Sequence, residues 1–170
     1  MTRARTNAYG TTTLGSTALT LGSTTTSVSG LTTVGEILQY PYENWYINSS
    51  AFAGYNAYLQ TNSSAVHYLT TAATGNGTLN ITATSSTTLN SVMTTGQAIT
   101  FSLLITNGST PYYANAYQVD GTTSGVTVKW SGGTAPSAGN ASAVDVYQFT
   151  VLKTGSAAFT VFSAGPIKYA

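Results

Sequence analysis

The sequence is poor in the residues that carry most enzymatic and metal chemistry. It has no cysteine, one histidine and four acidic residues, and 5% of its residues are charged. A soluble domain usually carries about a quarter. Without cysteine the chain forms no disulfide and offers neither a thiol nucleophile nor a thiolate ligand. Because one histidine cannot complete a transition-metal site, we predict no metal centre and no cofactor.

The charge balance also narrows the choice of partners. A net charge of +1 gives no basic patch that could grip nucleic acid or an anionic membrane, so we predict neither as a partner. A near-neutral surface gives little repulsion between copies, which favours self-association. No run approaches 18 apolar residues and no apolar stretch follows the arginines at the start. We therefore expect neither a membrane span nor a signal peptide.

Threonine, serine and tyrosine take the place of the missing charged residues. The chain contains 33 Thr, 19 Ser and 12 Tyr. Threonine and tyrosine fit a pleated, half-buried surface, whereas the scarce lysine, glutamate and arginine are good helix formers. The composition therefore predicts an all-β protein.

The first 36 residues differ from the rest and are predicted to form a separate attachment segment. Leu-Gly-Ser-Thr occurs at 14–17 and again at 21–24, and arginines occur near the start at Arg3 and Arg5. The large apolar residues stand several positions apart, and those assigned to assembly are Leu14, Leu19, Leu21, Val28 and Leu31. One thin strand cannot bury them against itself, whereas three copies around an axis can. We predict an extended arm or short trimeric β shaft in a homotrimer, with the arginines touching another protein; a flexible linker is the alternative.

Residues 37–170 are predicted to form an antiparallel β-sandwich of jelly-roll type. Apolar runs alternate with turn signals such as Asn107-Gly108, Asp120-Gly121 and Gly132-Gly133. Residues 89–95 could form one helical turn. The predicted strands cover 52–59, 66–71, 79–84, 99–106, 112–119, 126–130, 143–153 and 157–163. In the last two strands the alternation predicts that Asp145 and Lys153 face outward or pair across strands.

The few chemically active residues are not arranged for catalysis. His67 lies between apolar residues in a predicted strand and is expected to pack in the core. Glu36 and Glu43 flank Pro41 in a predicted loop. We therefore predict that the protein is not an enzyme. Binding by exposed aromatic residues is the open alternative, and Trp45, Tyr112 and Tyr113 are the candidate contacts for a glycan or a partner protein.

The carboxyl-terminal half resembles a known family. The segments "AYQVDG", "VKWSGGTAPSAGNAS", "DVYQFTVLKTG" and "AAFTVFSA", with "TTLNSVMTTGQAITFSLLITNGSTPYY" before them, are similar to a terminal domain of structural proteins of tailed phages of marine bacteria, cyanophages especially. The similarity covers about residues 79–170. The opening "TLGSTALTLGST" also resembles segments of phage fibre and appendage proteins.

The two resemblances imply a location and a structural role. They imply a virion structural protein: a short fibre, a neck or collar protein, or a capsid decoration protein. The partners implied are other capsid, neck or tail proteins. The alternative is a tip protein that binds a host receptor or surface glycan.

Overall fold

A computed structural model describes residues 11–14, 17–20, 44–60 and 64–170. The chain divides into two compact units, Met1–Pro41 and Tyr42–Ala170. The domain boundary predicted between residues 36 and 37 lies outside the described residues and stays a prediction.

In the first unit, strands β1 (Thr11–Leu14) and β2 (Thr17–Thr20) pair antiparallel, with Thr11 opposite Thr20 and Leu14 opposite Thr17. These residues therefore fold back on each other instead of running as one extended strand. Leu14 lies in β1 and Leu19 in β2. The other predicted assembly residues lie outside the described residues: Arg3, Arg5, Leu21, Val28 and Leu31.

The described part of the second unit consists mainly of strands, with one short α-helix and a 3-10 turn at Ser131–Gly133, which confirms the all-β prediction. Its elements in chain order are β3 (Tyr46–Ala51), β4 (Tyr55–Tyr58), β5 (Val66–Thr71), β6 (Gly77–Thr82), α1 (Leu89–Val92), β7 (Ala98–Thr106), β8 (Ala114–Val119), β9 (Val126–Trp130), β10 (Val144–Gly155) and β11 (Ala158–Tyr169). The helical turn expected within residues 89–95 is α1.

The strands form a six-stranded sheet in the order β3-β5-β7-β10-β11-β9 and a three-stranded sheet in the order β4-β6-β8. From β3 to β9 the chain alternates between the two sheets. From β3 to β8, neighbouring strands within a sheet are therefore two steps apart in sequence, and β3-β5-β7 and β4-β6-β8 are all parallel. The predicted antiparallel architecture is wrong for these strands and for the parallel pair β9-β11.

Among the described strands of the second unit, β7-β10 and β10-β11 are the antiparallel pairs. Positive φ angles occur at Asp120 (53°), Gly121 (77°), Gly132 (76°) and Gly133 (79°), as expected of these turn signals, but not at Asn107 or Gly108, where the same expectation is wrong. The Asp120-Gly121 turn closes one antiparallel bridge, between Val119 and Thr122, but the strands on either side of each of these turns do not pair with each other. A turn residue fixes the local direction of the chain, but it does not determine which sheet receives the next strand.

Both sheets contribute side chains to one hydrophobic core. Leu79 and Ile81 of β6 enter it from the small sheet, and Leu103 and Ile105 of β7 enter it from the large sheet. Phe149 stacks on Phe101, with ring centroids 5.1 Å apart. Burying a phenylalanine or leucine side chain contributes about 1.5–3 kcal/mol each, so this shared core is the main stabilising element of the unit.

Candidate functional site

Asp145 lies on the inward face of β10 and is fully buried. Its carboxylate accepts hydrogen bonds from Asn107 Nδ2 (3.0 Å), from Asn140 Nδ2 (2.7 Å) and from the Asn140 backbone N–H (2.9 Å). Asn107 also bonds both backbone groups of Tyr112 at 3.0 Å. The expectation that Asp145 faces outward is therefore wrong. Its carboxylate fastens two loops to β10, so its chemistry is used within the fold.

Gly139 passes close to this network on the long connection between β9 and β10. A Cβ atom at this position would lie 2.3 Å from the Tyr112 carbonyl oxygen and 3.0 Å from Asp145 Oδ2. Glycine is needed here because of this close approach. The buried carboxylate of Asp145 thus holds the connection in place, and the absence of a side chain at Gly139 allows the chain to pass this close.

Lys153 is also buried on the inward face of β10, which contradicts the prediction of an outward side chain. Its ammonium group donates to the carbonyl oxygens of Asn90 (2.5 Å) and Met93 (2.8 Å) at the end of α1. At the other end of α1, Asp120 accepts from the backbone N–H groups of Leu89 (2.7 Å) and Asn90 (2.9 Å). The negative Asp120 binds free N–H groups at the amino-terminal end of α1, and the positive Lys153 binds free carbonyl groups at its carboxyl-terminal side, as the helix dipole favours. Asp120 and Lys153 together position α1 against the sheets.

His67 is fully buried on β5, as expected for a core histidine. Its Nδ1 atom lies 3.0 Å from the Tyr55 hydroxyl group, and the rings of Tyr46, Tyr55 and Phe101 surround it. Burial lowers the pKa of His67, an effect opposed in part by the Ser64 backbone. The neutral imidazole is therefore the form that the folded protein favours.

Two further tyrosines lie in or against the core: Tyr147 is fully buried, and Tyr117 is half-buried. Burial raises the pKa of Tyr147, and the nearby negative charge of Asp145 raises it further. Burial likewise raises the pKa of Tyr117. Trp130 is half-buried and contacts Tyr117 edge-on, with ring centroids 5.0 Å apart. Trp130 therefore packs against the core through Tyr117.

The outward face of the six-stranded sheet carries a continuous apolar row. Five residues, one from each of five strands, lie opposite one another in register: Ile47, Tyr68, Leu104, Val146 and Ile167. Opposed residues share a face, so their side chains form one band about 20 Å long at the ordinary strand spacing. Ile47 is 57% exposed and Ile167 43%. We call these five residues the apolar row.

Four more apolar residues flank the apolar row. They line, with three members of the row and Ser102, a groove of about 420 Å³: Trp45, Val66, Val144 and Tyr169. Trp45 is half exposed, and so is Tyr169. None of the described residues that line this groove is charged. Among the described residues, four of the six exposed large apolar side chains lie in or beside the row.

The same face changes character toward the other end of the strands. There a cleft of about 450 Å³ is lined by Thr100, Lys129, Gln148, Thr150 and Phe162, among others. Phe162 is 49% exposed. We call this the Phe162 cleft.

The predicted binding aromatics do not come together. Trp45 is exposed beside the apolar row, whereas Tyr112 and Tyr113 are half-buried and pack against the hydrophobic core. Neither tyrosine lines the groove that Trp45 lines. The apolar row itself was missed by sequence reasoning, although "IKYA" after Pro166 shows the two-residue alternation of a strand that continues to the end of the chain.

In the described part of the chain no three His, Asp or Glu side chains lie close enough to hold a metal ion. No helix there has the length and apolar character needed to cross a membrane. A scan against protein-family models finds no match, and searches of curated proteins and of solved structures find none either.

Proposed function

We propose that this chain is a structural subunit of a phage particle. The proposal begins from the resemblance of residues 79–170 and of the opening repeat to phage structural and appendage proteins. The observation that supports it best is the apolar row, because an uncharged apolar band on an exposed sheet face is typical of a contact surface. We further propose that the two sheets, which share one core, form a β-sandwich. The parallel pairs do not favour the jelly-roll connectivity.

The apolar row suits contact with a second copy of the chain. Since the row carries no charge, two copies can face each other without opposing like charges. Burying apolar surface there contributes about 25 cal/mol per Å². Three copies can arrange their outward faces around one axis, which is compatible with the homotrimer expected from the amino-terminal segment. In this proposal the arm, with Arg3 and Arg5, contacts a capsid, neck or tail protein.

The use of the charged side chains supports a structural role. Asp120, Asp145 and Lys153 each bind backbone groups of loops or of α1. Such contacts hold irregular segments rigidly in a particle that must persist outside a cell. Glu36 and Glu43 lie outside the described residues.

Sedimentation equilibrium of the full chain tests the assembly proposal. We expect the unaltered protein to form trimers, and Ile47→Asp to raise the dissociation constant by about tenfold or more, since a charge would be buried in the contact. Val92→Asp is the matched control, because Val92 is 40% exposed but lies on α1, outside the row. Leu31→Asp tests the arm separately. A protein that stays monomeric at high concentration would contradict the proposal.

The location is tested by immunogold electron microscopy of intact tailed phage particles, with antibodies raised against the full chain. We expect gold at one defined position on the particle. Gold confined to cell debris, with none on particles, would contradict a role in the virion.

A further inference from the structure

We propose that the Phe162 cleft binds an acidic saccharide. This inference goes beyond the structural role and does not depend on it. The observation that carries it is a half-exposed phenylalanine ring set among hydrogen-bonding side chains and beside one lysine, in a cleft on the outward face of the six-stranded sheet.

The register of the sheet places these groups side by side. Across the strands Thr100 lies opposite Thr150, Thr150 opposite Phe162, and Phe162 opposite Lys129. The hydroxyl groups of Thr100 and Thr150 are 2.9 Å apart and hydrogen-bonded. One aromatic face, two hydroxyl groups and one ammonium group therefore form a single row on rigid strands.

The adjacent row deepens the cleft and adds polar groups. Ser102 lies opposite Gln148, and Gln148 lies opposite Ala164. The small side chain of Ala164 leaves space beside Phe162, and Gln148 is exposed. Ser131, which follows β9, also lines the cleft. A ligand next to the ring would thus meet both an amide and several hydroxyl groups.

These groups match the chemistry of a sugar ring that bears a carboxylate. The apolar C–H face of a pyranose packs on an aromatic ring, while its hydroxyl groups need hydrogen-bond donors and acceptors nearby. Lys129 is the one charged side chain that lines the cleft, and it favours an anion. The volume, about 450 Å³, falls in the usual range for small-molecule sites, roughly 300–1,000 Å³.

The apolar groove on the same face differs from the Phe162 cleft in charge and in lining residues. It has no charged lining residue, and the groove and the cleft share only Ser102. A contact between copies therefore suits the groove, and a polar ligand suits the cleft. The two surfaces can be tested independently because Phe162 lies outside the apolar row.

Isothermal titration of the full chain with tetragalacturonate tests the inference, with a neutral galactose tetrasaccharide as the comparison ligand. We expect tetragalacturonate to bind and Phe162→Ala to weaken it by about tenfold or more. We expect Lys129→Gln to weaken tetragalacturonate while leaving the neutral tetrasaccharide unchanged, and to make binding less dependent on salt. Val92→Ala is the control and should leave tetragalacturonate binding unchanged, since Val92 is an exposed apolar residue that lines neither the cleft nor the groove.

Binding that Phe162→Ala leaves unchanged, or no binding of either sugar, would overturn the inference. Sedimentation of the same variants separates it from the proposed function. If Phe162→Ala dissociates the oligomer, the cleft belongs to the contact between copies and the saccharide inference fails. If the unaltered protein is monomeric but binds tetragalacturonate through Phe162, the assembly proposal fails and the saccharide inference stands.

Discussion

The inward face of the six-stranded sheet buries Asp145 and Lys153, whereas the outward face of the same sheet exposes Ile47, Phe162 and Ile167. In a half-buried sheet the apolar residues normally face the core and the charged residues face water. At these positions the distribution is reversed. The buried charged side chains and the exposed apolar side chains therefore have different partners. The buried charges bind loops of their own chain, and the exposed apolar side chains are available to other molecules.

The reversal has a cost on each face. A buried charge is tolerated only where hydrogen bonds replace the lost water, as the donors from Asn107 and Asn140 do for Asp145. Exposed apolar side chains keep their unfavourable contact with water until another surface covers them. Substitutions on the inward face should therefore change stability, and substitutions on the outward face should change binding.

Asp145→Ala should destabilise the inward face most. It leaves the buried amide groups of Asn107 and Asn140 without their acceptor, which should lower the free energy of unfolding by about 3 kcal/mol. Urea denaturation measures the change. Thr154→Ala, at an exposed position of the same strand, is the control and should stay within about 0.5 kcal/mol. Equal effects of the two variants would show that the carboxylate does not hold the loops.

Lys153→Met should lower the free energy of unfolding by roughly 2 kcal/mol, because the carbonyl groups of Asn90 and Met93 lose a charged donor. Lys129→Met removes an exposed lysine of the same six-stranded sheet. It should change the free energy of unfolding by no more than about 0.5 kcal/mol. Urea denaturation again gives both values. If the exposed lysine proved the more costly to remove, the contrast between the two faces would be lost.

Gly139→Ala should destabilise the protein by about 1–3 kcal/mol, since its Cβ would overlap the Tyr112 carbonyl oxygen and push the loop away from Asp145. Gly108→Ala is the matched control, because its Cβ would make only an ordinary contact, 3.6 Å from the Ala72 Cβ atom. Thermal unfolding of both variants is the measurement. If Gly139→Ala left the melting temperature unchanged, the close approach of Gly139 to the Tyr112 carbonyl oxygen would be contradicted.

Acidification should weaken the fold through His67. Because burial lowers the pKa of His67 in the folded state, the unfolded chain takes up the proton first as the pH falls below about 6.5. The stabilisation is present above that pH and is lost progressively as the pH falls below 6.5 toward the lower pKa of the folded state. Melting temperatures between pH 7.5 and 5 measure it, and His67→Gln should flatten the profile. The same slope in this variant would exclude His67 as the cause.

Much of the fold was predictable from local pattern. The bounds of β5 and β9 agree with the prediction, and β7 begins one residue earlier than predicted. β3 was missed because Asn48-Ser49-Ser50 interrupts its apolar character. The parallel pairing could not be predicted because the alternation between sheets depends on the whole chain, and turn residues do not encode it.

The orientation of β10 shows why the site was harder to predict. Val144 and Val146 are in one phase of the two-residue alternation, whereas Phe149 and Val151 are in the other. The structure keeps the second phase inward along the whole strand, which takes Asp145 into the core. That choice depends on Asn107 and Asn140, which lie 38 and 5 residues away in sequence. The apolar row likewise appears only once the register of five strands is known.

Hydroxyl-radical footprinting of the full chain at low and high protein concentration tests the division between the two faces most directly. We predict that Trp45, Ile47 and Tyr169 become protected as the chain associates, while Phe162 stays reactive until tetragalacturonate is added. If Trp45, Ile47 and Tyr169 stay equally reactive at every concentration, the outward face is not a contact surface and the account is contradicted.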